Sequence, residues 1–324
     1  MSAAGEIRRN HAPVRGLDMH WLEQGSGPLV LLCHGFPECS WSWRHQIAAL
    51  AGARFRAVAP DLRGYGDTSG PARPQDCDVV SLTDDLVALT AALGEQHAVL
   101  VGHDFGALLA WHAAALRPDV FASVACLSVG YPSFLTGRRP PLEVLKERVG
   151  ESFHYILYFQ EAGVAEAELE ADVRSTLLSI LWESSGEAVE AGKPFLAGAR
   201  SRFLEGMAAS ARLPAWLTEA DLDVYVRAFE RTGFAGALAW YRAFDLGWHE
   251  LADRRTAKVE VPALFMAGSL DPVLASTTGL LSRMRQWVPA LEDTIILEGC
   301  GHWIQQERAR EVSDALVSFA RRHV

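Results

Sequence analysis

The sequence predicts an α/β fold, a mostly parallel sheet flanked by helices, with a helical segment inserted before the last strands. Three observations carry this expectation. Short apolar runs rich in Val, Leu and Ala recur along the chain, helical patterns separate them, and one long interval holds helical patterns alone. Apolar runs without alternation are what strands buried on both faces look like, and strand–helix repetition favours parallel pairing with right-handed crossovers.

In chain order, the residues from about Ala12 to Gln24 alternate in polarity and suit an antiparallel edge pair. Buried strands are expected at Leu29–Cys33, Ala57–Pro60, Ala98–Gly102, Ser123–Val129, Ala263–Gly268 and Thr294–Leu297. Between Val129 and Pro262 the patterns are helical: PPLEVLKERV, AEAELEADVRSTLLSILW and TEADLDVYVRAFERTGF, the last with Thr218 as N-cap. The stretch from about Gly186 to Pro214 mixes small and basic residues and is expected to be a loop. This divides the chain into a first core part (1–133), a helical cap (134–255) and a second core part (256–324).

Composition narrows the function. A chain of 324 residues with only 22% charged residues and 49% hydrophobic ones can bury a large core, which excludes a disordered chain. The net charge of −10 argues against nucleic acid, since phosphate binding needs clustered Lys and Arg. No apolar run approaches the roughly 20 residues of a membrane span, and MSAAGEIRRNHAPVRG lacks the apolar core of a secretory leader. Five cysteines without a CxxC pair make no disulfide framework, so a cytoplasmic location is expected.

In an open parallel sheet, ligands bind beyond the carboxyl ends of the strands. His34-Gly35-Phe36-Pro37, Asp104, Asp271 and His302 each follow such an end. Gly102-His103-Asp104-Phe105-Gly106 joins a strand to a helix and looks like the G-x-S-x-G nucleophile elbow of the α/β-hydrolase fold, with Asp in place of Ser. Taken alone, Asp104 suits a helix N-cap equally well. The downstream order of acid and then His favours the nucleophile.

A carboxylate with a reference pKa of about 3.9 needs no base to ionise, so it can displace a leaving group from an sp³ carbon and form an ester. Water activated by His302 would hydrolyse that ester, with Asp271 orienting the imidazole. Asp271 before Pro272 also reads as an ordinary turn. The backbone N–H groups of Phe36 and Phe105 are candidates for an oxyanion hole beside Pro37, a candidate cis proline.

The motifs HGFPECSWSWRHQI (34–47), DLRGYGDTS (61–69), VGHDFGA (101–107), GSLDP (268–272) and GCGHW (299–303) resemble those of the soluble epoxide hydrolases of the α/β-hydrolase fold. In the cap, HYILYFQEAGVAEAELEAD (154–172) and GALAWYRAFD (236–245) look like the segments supplying that family's two ring-opening tyrosines. The resemblance makes Tyr155 and Tyr241 the pair, with Tyr158 the alternative to Tyr155. It implies Asp104, His302, Asp271, Tyr155 and Tyr241 as catalytic residues, no cofactor and no metal. A small lipophilic epoxide would be the substrate and water the co-substrate, with no nucleic-acid or membrane partner; a homo-oligomer is a state the sequence permits. Trp41, Trp111 and Trp240 are candidates for lining an apolar tunnel.

Two departures bear on the rivals. Phe105 stands where many relatives have Trp, and where fluoroacetate-type relatives have Arg, so it lacks the donor that a buried halide needs. That weakens a haloalkane or haloacid dehalogenase. Ala107 stands where Gly is usual. The other rival, a non-catalytic ligand-binding protein on the same scaffold, predicts a missing catalytic side chain, and none is missing.

Overall fold

The structure, a computed structural model, describes residues 6–131, 134–192, 195, 200–207, 212–254, 257–276 and 278–324. Eight strands form one sheet: β1 Arg8–Val14, β2 Leu17–Gly25, β3 Leu29–Cys33, β4 Arg56–Pro60, β5 Ala98–His103, β6 Phe121–Leu127, β7 Ala263–Gly268 and β8 Leu291–Leu297. Their order is β1-β2-β4-β3-β5-β6-β7-β8, with β2 antiparallel to both neighbours and the remaining pairs parallel.

Strands β3 to β7 are largely buried on both faces, as their composition requires; the burial expected of Thr294–Leu297 fails, because β8 is the edge of the sheet and leaves Thr294 and Ile296 exposed. Leu29, Leu31 and Cys33 enter one core, while Val30 and Leu32 enter the other. The helices α1 Arg44–Gly52, α2 Val79–Ala92 and α3 Phe105–Leu116 make the early crossovers. The chain runs from β3 out to β4 and returns to place β5 on the other side of β3. The carboxyl ends of β3 and β5 therefore meet at a topological switch point, where such sheets open a crevice.

Among the described residues no strand lies between β6 and β7. That interval contains α4 Pro141–Val149, α5 Tyr155–Tyr158, α6 Val164–Leu169, α7 Val173–Glu183, α8 Gly186–Glu190, α9 Glu219–Thr232, α10 Ala235–Arg242 and α11 Phe244–Glu250. The second core part adds α12 Pro272–Ser276, α13 Thr278–Leu281, α14 Met284–Trp287, α15 Ile304–Glu307 and α16 Ala309–Arg322.

Thr218 caps α9 as expected: its side chain accepts from the Asp221 N–H, and Asp221 reciprocates at the Thr218 N–H. Two local expectations change. The run at 165–182 is two helices, because Asp172 turns out of helical geometry and accepts from the Ser175 N–H, opening α7. The predicted loop from Gly186 begins as α8, capped by the Ser185 side chain accepting from the Ala188 N–H. Within that predicted loop, residues 193–194, 196–199 and 208–211 lie outside the described residues. All five cysteines are free and buried, and no helix among the described residues is long and apolar enough to cross a membrane.

The switch point is packed without slack. A Cβ on Gly102 would lie 2.1 Å from the Gly106 carbonyl oxygen, and one on Gly106 would lie 2.1 Å from the Cys33 carbonyl oxygen. Substituting Gly106→Ala should therefore push α3 off β3 and cost about 1–3 kcal/mol. Urea unfolding measures this directly; an unchanged midpoint would mean that β3 and α3 separate more easily than their spacing implies.

Candidate active site

Asp104 occupies the turn between β5 and α3 with φ +52° and ψ −117°, a backbone conformation unfavourable for a residue with a Cβ. Its carbonyl oxygen accepts from the Ala107 and Leu108 N–H groups, so the strain sits at the head of a formed helix. Its side chain caps nothing and instead projects toward the β3 loop. There the Phe36 N–H donates to Asp104 Oδ1 at 3.0 Å, beside a cis Phe36–Pro37 bond. The Phe105 N–H forms no hydrogen bond among the described residues. His34 braces this loop, its Nδ1 donating to the Gly35 carbonyl at 3.0 Å and its Nε2 accepting from the Leu62 N–H at 3.2 Å.

His302 meets Asp104 from the loop after β8. Its Nε2 lies 3.4 Å from Asp104 Oδ2, and its Nδ1 lies 3.1 and 3.2 Å from the two Asp271 oxygens. Asp271 also accepts from the Val273 N–H at 2.8 Å, so the turn expected from Asp-Pro is what aims the carboxylate. The His302 N–H donates to the Ser184 carbonyl at the end of α7.

Charge and burial oppose each other here. Burial by itself raises the Asp104 carboxyl, but the hydrogen bond and charge of His302, the charge of His103 and the Phe36 N–H outweigh it and hold Asp104 below its ordinary value. Burial likewise lowers His302, yet the negative Asp271 and Asp104 carry it well above an ordinary imidazole. The arrangement therefore favours a protonated His302 beside an ionised Asp104.

The helical segments between β6 and β7 supply the opposite wall. Tyr155 and Tyr241 stand with ring centroids 6.0 Å apart, and Tyr241 packs edge-on against Phe105 at 4.5 Å and Phe36 at 5.5 Å. Neither phenol hydroxyl has a hydrogen-bond partner among the described residues. Tyr158, by contrast, donates to Glu168 at 2.9 Å, and that carboxylate also accepts from the Phe203 and Leu204 N–H groups. Its hydroxyl is committed to cap structure. Burial first, then Asp104 and Asp271, push the Tyr155 phenol up; burial, Tyr155 and Asp104 do the same for Tyr241, so both remain protonated donors.

Of the three tryptophans, Trp240 lies against Phe105 at 5.5 Å, donates to the Arg63 carbonyl, and helps line a cavity of about 20 Å³ with Phe105, Leu108, Leu135 and Phe244. The tunnel role expected of Trp41 and Trp111 gives way to packing. Trp41 donates to Asp221 at 2.8 Å and borders a surface hollow with Asp61 and Arg231. Trp111 is fully buried against Tyr131 and donates to the Val129 carbonyl at 2.9 Å. An indole held on a helix takes whichever acceptor its N–H can reach when buried.

A buried polar network behind the site escaped the sequence reading. Glu38 and His103 are both fully buried; Glu38 Oε2 lies 2.9 Å from His103 Nδ1, and His103 Nε2 donates to the His302 carbonyl at 2.8 Å. The amides of Gln305 and Gln306 also donate to Glu38. The sequence signal was slight: an acid after Pro37 and a histidine before Asp104.

The family model for the alpha/beta hydrolase fold matches residues 28–178. Epoxide hydrolase A of Mycobacterium tuberculosis is 42% identical over 308 residues, covering 94% of each chain. Among solved structures, an epoxide hydrolase from an endophytic Streptomyces superposes with a TM-score of 0.92 at 42% identity, covering 97% of this chain and 95% of its own. Epoxide Hydrolase A from Mycobacterium thermoresistibile gives a TM-score of 0.89 at 40% identity, covering 98% of each. On this similarity, spanning core and cap alike, the chain belongs to the epoxide hydrolases of the α/β-hydrolase fold.

Proposed function

We propose that the protein hydrolyses a small lipophilic epoxide to a vicinal diol through an ester on Asp104. The observation that carries this is the placing of a strained, ionised Asp104 between an Asp271-backed His302 and two phenols with free hydroxyls. Asp104 attacks an epoxide carbon and its C–O bond breaks. The departing oxygen, whose conjugate acid is about as weak as water at ~15.7, accepts hydrogen bonds from Tyr155 and Tyr241 and takes a proton from one of them. Their raised pKa values suit this role, since only a protonated phenol can donate.

Ester formation removes the negative charge of Asp104, one of the two charges that keep His302 protonated. The imidazole can then give up its proton, restoring the phenol, and serve as base. Water attacks the ester carbonyl carbon while His302 takes its proton. The oxyanion collects the Phe36 N–H, and the Phe105 N–H at the start of α3 is available as the second donor. Collapse expels the diol oxygen, which takes the proton from His302; the Asp104 carboxylic acid left behind passes its proton to the imidazole, restoring the carboxylate, now with one oxygen from water, and the protonated His302.

Residues 134–255 serve as the cap that brings the tyrosines, and residues 1–133 and 256–324 as the core. Five free, buried cysteines suit a reducing cytoplasm.

A single turnover in heavy-oxygen water should place label in the Asp104 peptide, read by mass spectrometry; an unlabelled carboxylate would exclude the ester. Substituting His302→Gln should let the alkyl-enzyme accumulate, with turnover reduced about 10²–10⁴-fold. Tyr155→Phe and Tyr241→Phe should each slow ring opening about 10²-fold, whereas Tyr158→Phe should leave it nearly unchanged. Halide release from haloalkanes without diol formation from epoxides would support the dehalogenase instead.

The two half-reactions should also separate with pH. Alkylation needs ionised Asp104, whose pKa lies below its ordinary 3.8, so its rate should hold until strongly acidic pH. Ester hydrolysis needs neutral His302, whose pKa is raised, so its rate should fall as pH is lowered and the imidazole takes up a proton, well before alkylation fails. Stopped-flow tryptophan fluorescence resolves the two limbs, and superimposable limbs would contradict this division of labour.

A further inference from the structure

The edge hairpin carries a group of side chains that the proposed reaction does not use. His11 on β1 stands opposite His20 on β2, and Asp18 lies two residues before His20, so all three project from one face. His11 Nδ1 is 2.9 Å from Asp18 Oδ1, and His20 Nε2 is 3.6 Å from Asp18 Oδ2. The imidazoles stack with centroids 4.9 Å apart and planes 15° from parallel. One nitrogen or oxygen from each residue lies within 4.8 Å of the other two, the one such cluster of His, Cys, Asp and Glu among the described residues.

We infer that His11, Asp18 and His20 form a binding site for a divalent transition cation, best filled by Zn²⁺. Two imidazoles and one carboxylate are a borderline donor set that suits zinc, whereas Mg²⁺ and Ca²⁺ take oxygen-rich sets. Tetrahedral zinc with bonds of about 2.0–2.2 Å needs donors roughly 3.4 Å apart. Small rotations of the side chains close the present spacing to that value. His11 and Asp18 are exposed and His20 is half-buried, leaving room for water as a fourth ligand.

The backbone beneath is already fixed. Asp18 and Ser69 exchange both backbone hydrogen bonds at 3.1 Å, and the His20 N–H donates to Thr68 Oγ1 at 2.9 Å. Arg9, on the same face of β1, is turned to Asp67 at 3.2 Å and so is partly neutralised. A cation here would join β1 to β2 at the sheet edge and raise stability by preferring the folded chain.

The test is calorimetric titration of the tag-free, full-length protein with ZnCl₂ in a non-chelating buffer, with thermal unfolding in parallel. One equivalent should bind and raise Tm, and MgCl₂ should do neither. Loss of even a supporting partner costs about 10–100-fold in metal affinity, so His11→Ala, Asp18→Asn and His20→Ala should each weaken binding at least that much and abolish the Tm rise. All three variants should retain wild-type epoxide turnover, since none touches the catalytic cleft. Absence of zinc binding into the millimolar range would overturn the inference. So would binding indifferent to these substitutions, or binding abolished by His302→Gln, which would assign the ion to the cleft.

Discussion

The close approach of the β5–α3 elbow to the end of β3 is the constraint on which the rest of the site depends. Gly102 and Gly106 have no room for a Cβ, because the backbones of α3 and β3 fill that space. Their contact forces the chain to reverse within one residue, and Asp104 takes the positive φ that results. A carboxylate placed in this way cannot retreat into a helix cap. It is presented to the Phe36 N–H, itself fixed at the end of the neighbouring strand, and the switch in strand order is what makes those two ends neighbours.

Electrostatics completes what the backbone begins. The pairing of Asp104 with His302 favours the charged form of each, although burial alone would disfavour both. On the proposed route, esterifying Asp104 removes one of the two negative charges that raise the His302 imidazole. An imidazole so held suits the proposed route, in which nucleophile and base act in succession and the first step prepares the second.

Much of this was legible in the sequence because it rests on local signals. Apolar runs located the strands, paired glycines located the elbow, and Thr218 located the start of α9. Asp271 was legible as a turn, and the turn proves to be the device that aims it at His302. What the sequence could not give was the direction of side chains on the cap and contacts between distant residues. Tyr155 and Tyr158 are three residues apart on α5, and their sequence does not show that Glu168 accepts from the Tyr158 hydroxyl. Trp41 and Trp111 have the composition of pocket walls, yet their N–H groups are taken by Asp221 and Val129. Glu38 is 65 residues from His103 and 267 from Gln305, a separation at which no periodicity speaks.

The cap's attachment explains how separate segments can hold one geometry. On one side Trp240 donates to the Arg63 carbonyl, Arg231 donates to the Gly66 carbonyl, and Gly64 and Gly236 touch backbone to backbone. On the other, the Ser184 carbonyl accepts the His302 N–H, while the Glu307 carboxylate gathers the N–H groups of Gly186, Gly301 and Trp303. The second set ties the end of α7 and the start of α8 to the residues flanking His302. The imidazole is therefore positioned by the cap as well as by the core, and the tyrosines are referenced to the same frame. Donors fixed before the substrate arrives need little reorganisation as charge develops, and that is where an electrostatic site gains its advantage over water. These helical segments are thus a structural part of the candidate site.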